Sequence, residues 1–326
     1  MRLRRSWARQ SWALALVLYC APGVVWAQSW PSKPIRVIIP FGAGSATDVI
    51  PRIVLDQVAP QLGQPFVVEN RTGAGGTLGA GAVAKADPDG YTLLAHSNAH
   101  TISPAVYSNL PYHPADDFSP VMPFGALTSI LIISPSKGIK TIQDLVAASK
   151  ARPGTFNYAS VGVGSGTHLA VEKLKLSSGL DATHVPFRGG PEALTEVIAG
   201  RVDFYFCPIN TALPHIRDGK LLALVTSGIT RAAELPGVPT TLEAGYQNAE
   251  FPVWIGLLAP AKTPRPIVDR LHAEVAKAVR IPAVIGKLGA TGVAPLILTP
   301  AEFDARIRAE IIANGAVAKA AGIKPN

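Results

Sequence analysis

The sequence predicts an α/β fold with two lobes, each a doubly wound, mostly parallel sheet, and a cleft between them. Hydrophobic residues make up 48% of the 326 residues and charged residues 16%, which provides material for a large core and excludes a disordered chain. Short apolar runs alternate with helical patterns along the chain. A strand followed by a glycine-rich loop and a helix occurs twice, once at Gly42 and again at Gly162.

The N-terminal segment has the pattern of a secretory signal peptide. Four arginines and no acid precede an apolar run at residues 12–21, and Val25-Trp26-Ala27 resembles an A-x-A cleavage site. The run is too short to span a bilayer. We predict that residues 1–27 are a signal peptide cleaved after Ala27, which places the mature protein in the periplasm. Because Arg4 and Arg5 are adjacent, twin-arginine export stays open beside the general secretory route.

Charge and motifs exclude several classes of protein. Loss of the four leader arginines lowers the formal net charge from +8 to +4, and the remaining basic residues are scattered, so no nucleic-acid partner is predicted. No phosphate-binding P-loop, nucleophile elbow or zinc-protease motif occurs. His96 and His100 are four residues apart, but no third ligand lies near them in the sequence. We therefore predict neither a cofactor nor a metal.

The first half of the chain reads as three strands separated by two helices. A helix with Asp48 as its N-cap would run to about residue 61, with Pro51 in its first turn, where proline removes no helical hydrogen bond. A second, alanine-rich helix is predicted at residues 77–85. The strands are predicted at residues 34–40, 66–69 and 91–95.

The second half repeats this plan. Thr141 and Asp144 resemble a capping box that opens a helix ending near residue 150. Helices are also predicted after residue 167, at 191–199, at 210–218 and from about 266 onward. The strands are predicted at residues 130–133, 156–160, 183–186, 202–206, 221–226 and 252–259.

Both glycine-rich loops have the chemistry of an anion site. Small residues let the backbone approach a ligand, and the helix that follows presents free N–H groups and its positive dipole end. The alternative is that the glycines only make tight turns. His168 either faces a ligand or is a polar residue satisfied at a helix end. Cys207 lies beside the cleft or is simply buried; nothing in the sequence indicates a catalytic thiolate.

An ordered series of short motifs narrows the function. Phe41-Gly42-Ala43-Gly44 precedes Thr47-Asp48, and further motifs occupy residues 69–76, 87–94, 164–169, 185–190, 213–216, 254–257 and 263–264. Together they resemble the substrate-binding proteins of tripartite tricarboxylate transporters, the Bug family. The resemblance implies the two-lobed periplasmic-binding-protein fold, with residues 28–128 and 251–326 in lobe one and 129–250 in lobe two.

The resemblance also implies a function and a site. The protein would be a monomeric binding protein, not an enzyme, that closes on a small carboxylate and delivers it to integral membrane transporter subunits. Two facing anion sites favour a dicarboxylate, or a carboxylate with a second polar group. The predicted ligand is a dicarboxylate or an aromatic acid. A sensory binding protein that feeds a membrane receptor and an exported α/β enzyme are the alternatives. The candidate ligand-binding residues are Phe41, Gly42, Ala43, Ser45, Thr47, Asp48, Asn98, Gly164, Ser165, Thr167, His168, Phe187, Arg188 and Cys207.

Two of these positions depart from the family pattern. Cys207 stands where the family often has Asp, which argues against a ligand with an ammonium group. Arg188 replaces a common Lys, and its planar fork suits bidentate carboxylate binding.

Overall fold

The computed structural model describes residues 30–187 and 189–325, which fold around two β-sheets flanked by helices. The predicted signal peptide and Arg188 lie outside the described residues. In chain order the strands are β1 (Ile35–Ile39), β2 (Phe66–Asn70), β3 (Thr92–Ser97), β4 (Phe118–Leu127), β5 (Ser129–Ile133), β6 (Asn157–Ser160), β7 (Thr183–Pro186), β8 (Phe204–Pro208), β9 (Leu222–Thr226), β10 (Val253–Pro260) and β11 (Val293–Ala294).

The helices fill the connections between the strands. None of the described helices is long and apolar enough to cross a membrane. They are α1 (Ala46–Leu62), α2 (Thr77–Ala84), α3 (Ala99–Val106), α4 (Ile142–Ala151), α5 (Gly166–Ser178), α6 (Gly190–Ile198), α7 (Ile209–Arg217), α8 (Arg265–Ala278), α9 (Pro282–Ala290) and α10 (Pro300–Ala320).

Each sheet combines parallel strands with strands of opposite direction. The described part of the first sheet has the order β11-β4-β10-β3-β1-β2, in which β1 to β4 share one direction and β10 and β11 oppose it. The second has the order β7-β6-β8-β5-β9, in which β5 alone among its described strands runs against the others. The predicted two-lobed α/β fold is confirmed, but the sheets are more mixed than the mostly parallel sheets predicted, because β10, β11 and β5 pair antiparallel with their neighbours.

Strands β4 and β11 and helix α3 were not predicted. The short β11 lies where the sequence predicted helix from about residue 266 onward, and β4 and α3 both carry prolines. Pro120 and Pro123 lie inside β4, and a central strand normally excludes proline since it donates no ladder hydrogen bond. The register between β4 and β10 shifts beside each of these prolines, so the chain accommodates them at bulges. Pro104 lies inside α3, which continues through it to Val106.

The start of α1 differs from the prediction. Ser45, not Asp48, is the N-cap, and Asp48 lies in the first turn. Pro51 therefore falls in the second turn, where it removes the hydrogen bond to the Thr47 carbonyl. The capping box of α4 is confirmed: Thr141 Oγ1 accepts from the Asp144 N–H, and the Asp144 carboxylate accepts from the Thr141 N–H.

The two sheets meet where the chain passes between them. Strand β4 ends at Leu127 and β5 begins at Ser129, so Thr128 is the single linking residue, and the chain returns between β9 and β10. Apolar clusters cover the faces of both sheets, with α1 and α8 against the first and α4 and α5 against the second. The carboxyl ends of β1 and β6, each followed by a glycine-rich loop, lie at the junction.

Candidate functional site

A cavity of about 440 Å³ lies between the two sheets, within the size range of small-molecule sites. We call residues 41–48 the first loop and residues 161–167 the second loop; both contribute to its wall. Eight of the predicted site residues line it: Phe41, Gly42, Ser45, Thr47, Asn98, Gly164, Ser165 and Thr167. Ala43, Asp48, His168, Phe187 and Cys207 are not among the lining residues, and Arg188 is outside the described residues.

Five helices direct their N-termini at this cavity. The N-cap residues of α1, α3, α5, α6 and α7 all line it; in that order they are Ser45, Asn98, Ser165, Gly189 and Pro208. The first N–H groups of a helix have no partner within the helix, and its dipole is positive at that end. None of the described lining residues is acidic or basic. The wall can therefore stabilise an anion through backbone N–H groups and neutral side chains.

Two neutral polar groups of the first lobe are free to bind a ligand. The Asn98 side chain is only 4% exposed, yet its amide makes no cap hydrogen bond at the start of α3. Its Oδ1 faces Gly166 across the cavity. The Ser45 Oγ is buried without a partner among the described residues. A buried polar group without a partner is costly, so the Ser45 hydroxyl is suited to be satisfied by a ligand, and the uncapped Asn98 amide lines the same cavity.

Asp48 holds the first loop from behind. Its carboxylate accepts from the Gly44 N–H at 2.9 Å, from Arg52 Nε at 2.9 Å and from Asn70 Nδ2 at 2.8 Å. Asn70 Nδ2 also donates to the Phe41 carbonyl. Burial favours the neutral carboxyl, but these hydrogen bonds outweigh it and lower the pKa of Asp48. In this arrangement the Asp48 carboxylate shapes the first loop, and it is not among the residues that line the cavity.

We expect Asp48→Ala to lower the free energy of unfolding by about 2–3 kcal/mol, because it leaves Arg52, Asn70 and the Gly44 N–H without their shared acceptor. Urea denaturation followed by tryptophan fluorescence measures the change. Asp218→Ala removes an exposed carboxylate paired with Lys220 and serves as the matched control, expected to stay within about 0.5 kcal/mol of the wild type. Equal stabilities of the two variants would contradict this role of Asp48.

The hydroxyls of the second loop are used within the loop itself. Ser165 Oγ donates to the Gly162 carbonyl at 2.7 Å, and Thr167 Oγ1 accepts from the Val161 N–H at 3.1 Å. Gly164 donates its N–H to Nδ1 of His168 at 3.0 Å. What the second lobe offers a ligand is therefore mainly the backbone N–H groups at the start of α5.

His168 lies behind the second loop. Its ring stacks on His184, with centroids 3.9 Å apart, and His184 Nε2 is 2.6 Å from Ser160 Oγ. Burial disfavours the protonated, charged form of each ring and so lowers the pKa of both histidines to about 4. Of the two readings left open by the sequence, the structure places His168 at a helix start, where it accepts from Gly164 and positions the loop.

Cys207 and Phe187 lie in the apolar cluster on one face of the second sheet. Cys207 is fully buried beside Ile130 and Ile132, and burial raises the pKa of its thiol to about 12, far from a reactive thiolate. Phe187 packs against the same cluster. Ala43 is exposed on the outer side of the first loop. Successive side chains of β8 point to opposite faces of the sheet. Pro208 therefore lines the cavity, whereas the preceding Cys207 does not.

Sequence reasoning missed about two-thirds of the wall, 17 of its 25 described residues. Strand β10 contributes Val253 and Ile255, which share one face because side chains alternate along a strand. The signal used for Asn98 could also have indicated Gly189, which follows β7 and caps α6 as Asn98 follows β3 and caps α3. The missed lining residues are Ala46, Gly75, Ser97, Ala99, Ser103, Val106, Tyr107, Leu127, Ser129, Val161, Val163, Gly166, Gly189, Gly190, Pro208, Val253 and Ile255.

The sequence and the fold match known proteins along nearly the whole chain. A family model described as "Tripartite tricarboxylate transporter family receptor" matches residues 50–323. The chain is 33% identical to the protein BugT of Bordetella pertussis over 300 residues, covering 91% of this chain and 92% of BugT.

Solved structures agree. Rpa4515 of R. palustris, solved with adipate, superimposes with a TM-score of 0.82 at 30% identity, covering 91% of this chain and 100% of that one. MatC of Rhodopseudomonas palustris, solved with bound malate, gives a TM-score of 0.77 at 33% identity, covering 88% of this chain and 99% of that one.

The described residues hold no cluster of three or more His, Cys, Asp or Glu side chains that could bind a metal.

Proposed function

The chain belongs to the tripartite tricarboxylate transporter receptor family, and we propose that it binds a small carboxylate in the cavity and delivers it to the membrane subunits of such a transporter. The resemblance drawn from the sequence motifs is thereby confirmed. The family and its solved members are periplasmic solute-binding proteins, not enzymes. Delivery to a transporter, residence of this chain in the periplasm, the monomeric state and cleavage after Ala27 stay predictions.

The convergence of five helix N-termini on a wall without charged side chains among its described residues is the observation that carries the carboxylate proposal. The adipate and malate bound by two structural relatives support it. A hydrogen bond to a charged group contributes about 1.5–3 kcal/mol. Four such bonds, less the cost of ordering the loops, are compatible with a micromolar dissociation constant, near −8 kcal/mol.

We propose that the ligand is held by closure of the two lobes predicted from the sequence. Residues 28–128 and 251–326 would carry the first loop and Asn98, and residues 129–250 the second loop. Thr128 and the segment between β9 and β10 are the connections at which such a motion could hinge. Only the closed form would present the surface that a membrane partner recognises, which is how loaded protein could be selected.

A thermal-shift screen of residues 28–326 against aliphatic and aromatic mono- and dicarboxylates tests the proposal. A ligand at 100 times its dissociation constant adds about 2.7 kcal/mol to the free energy of unfolding, which raises Tm by several degrees. Thr47→Arg should abolish that shift, because Thr47 lines the cavity and is 8% exposed. Thr230→Arg, at an exposed position, is the control and should respond like the wild type. No response to any carboxylate, with no acid released on denaturation, would refute the function.

A further inference from the structure

We infer that this cavity selects a carboxylate whose carbon body is apolar and discriminates against the same acid carrying a hydroxyl or an ammonium group on that body. The inference rests on the proposed function and adds to it the chemical class of the ligand. It comes from the distribution of polar and apolar groups around the cavity, which neither the family nor the fold determines.

The wall away from the helix N-termini is aliphatic on both lobes. Val253 of β10 pairs with Leu127 of β4, and Ile255 lies two residues further along the same strand, so these three side chains form one continuous apolar surface. On the opposite lobe, Val161 and Val163 line the cavity from the second loop. These valines are 37% and 46% exposed. Leaving apolar surface in water costs free energy, and a ligand that covers the two side chains would remove that cost.

Most of the polar groups lie at the helix starts, and Ser103, Tyr107 and Ser129 add hydroxyls elsewhere on the wall. The Asn98 amide makes no cap hydrogen bond at the N-terminus of α3 and can donate to a carboxylate oxygen. The hydroxyls of Ser165 and Thr167 are bonded within their own loop. A hydroxyl on the part of the ligand that lies against the valine, leucine and isoleucine side chains would have no partner there.

An ammonium group would meet no counter-charge. None of the described lining residues is acidic. The nearest acid in the first loop, Asp48, is already paired with Arg52 and bonded to Asn70 and Gly44. Arg188, the next residue after Phe187, would be a cation and could not neutralise an ammonium group. A buried charge without a partner is far more costly than a buried hydroxyl without one.

Two matched triplets of acids test the inference by isothermal titration calorimetry. Phenylacetate, mandelate and phenylglycine share one skeleton, and so do glutarate, 2-hydroxyglutarate and glutamate. Within the triplet that binds, we expect the hydroxy acid to bind about 10- to 100-fold more weakly than the unsubstituted acid. We expect the amino acid to bind at least about 100-fold more weakly.

Val163→Thr tests whether the aliphatic surface is the cause. The change keeps the shape of the side chain and replaces one methyl group with a hydroxyl. We therefore expect the ratio of the dissociation constants of the hydroxy and unsubstituted acids to fall about threefold or more. Val67→Thr is the matched control, since Val67 is an exposed valine on β2 outside the cavity wall. The control should keep the wild-type preference.

The outcomes separate this inference from the proposed function. Equal or tighter binding of the hydroxy or amino acids, or binding of citrate or tartrate with none of the unsubstituted acids, would overturn the inference and leave the function standing. An unchanged preference in Val163→Thr would overturn the role of the second-loop valines. Failure of every carboxylate to bind would overturn the function and the inference together.

Discussion

Gly164→Ala is expected to weaken ligand binding by about 10- to 100-fold. Gly164 has a φ of +73°, and a methyl group there would overlap both γ-carbons of Val106 across the cavity. Overpacking of this kind costs about 1–3 kcal/mol, and the contact exists only when the second loop lies against α3. Calorimetric titration with a carboxylate identified in the screen measures the loss, and circular dichroism checks that the variant is folded.

Two further variants isolate the steric cause. Gly162→Ala also places alanine at a positive φ, +118°, but nothing lies within 4 Å of its methyl group, so it reports backbone strain alone. Val106→Ala removes the γ-carbons that the Gly164 methyl would meet, and we expect it to recover part of the affinity when combined with Gly164→Ala. Equal losses in Gly162→Ala and Gly164→Ala, with no recovery in the double variant, would show that the second loop does not close on Val106.

Acidification from pH 7 to pH 5 is expected to lower the free energy of unfolding by at least about 5 kcal/mol, chiefly through four histidines. Burial lowers the pKa of His100, of His168 and of His184 to about 4, and holds the pKa of His96 well below the value of 6.5 expected in the unfolded chain. The unfolded state therefore binds protons that the folded state does not, so this stability is fully present above pH 6.5 and is lost as the pH falls toward 4. His100 and His168 each contribute about 2 kcal/mol over this interval, the half-buried His184 contributes less, and His96 adds to the loss.

Urea denaturation at several pH values between 7 and 5, followed by the fluorescence of the buried Trp254, measures this dependence. His168→Gln removes one of these groups and should reduce the loss by about 2 kcal/mol. His113→Gln changes an exposed histidine whose charge is a minor influence on the pKa of His100 beside burial, so it should leave most of the loss in place. A wild-type pH dependence in His168→Gln would show that His168 is not the neutral, buried base that the structure describes.

Most strands and helices could be predicted from local patterns. The elements that escaped prediction are β4, α3 and the short β11. Proline breaks the pattern in the first two: the β4 prolines lie beside register shifts in the pairing with β10, and Pro104 lies within α3. The helix start at Ser45 was misplaced by three residues, since both Ser45 and Asp48 are good N-caps and the Asp48 carboxylate instead bonds Gly44 and Asn70.

The residues of the candidate site also fall into two groups, those that the sequence could assign and those that it could not. Both glycine-rich loops and Asn98 could be read from the sequence, because a small-residue loop between a strand and a helix carries its chemistry locally. Asp48, His168 and Cys207 could not be assigned, because whether a side chain faces the cavity or the space behind it depends on partners such as Asn70, His184 and Ile130, which lie far away in the sequence.

The sequence by itself determined the alternation of strands and helices, the two anion-binding loops and the family. These depend on backbone preferences and helix N-termini that act over a few residues. Only the tertiary structure decided that five helix starts converge on one cavity and that an aliphatic surface from β4, β10 and the second loop lies between them. Burial and the pairing of distant strands set those positions, and neither is encoded in any single stretch of the chain.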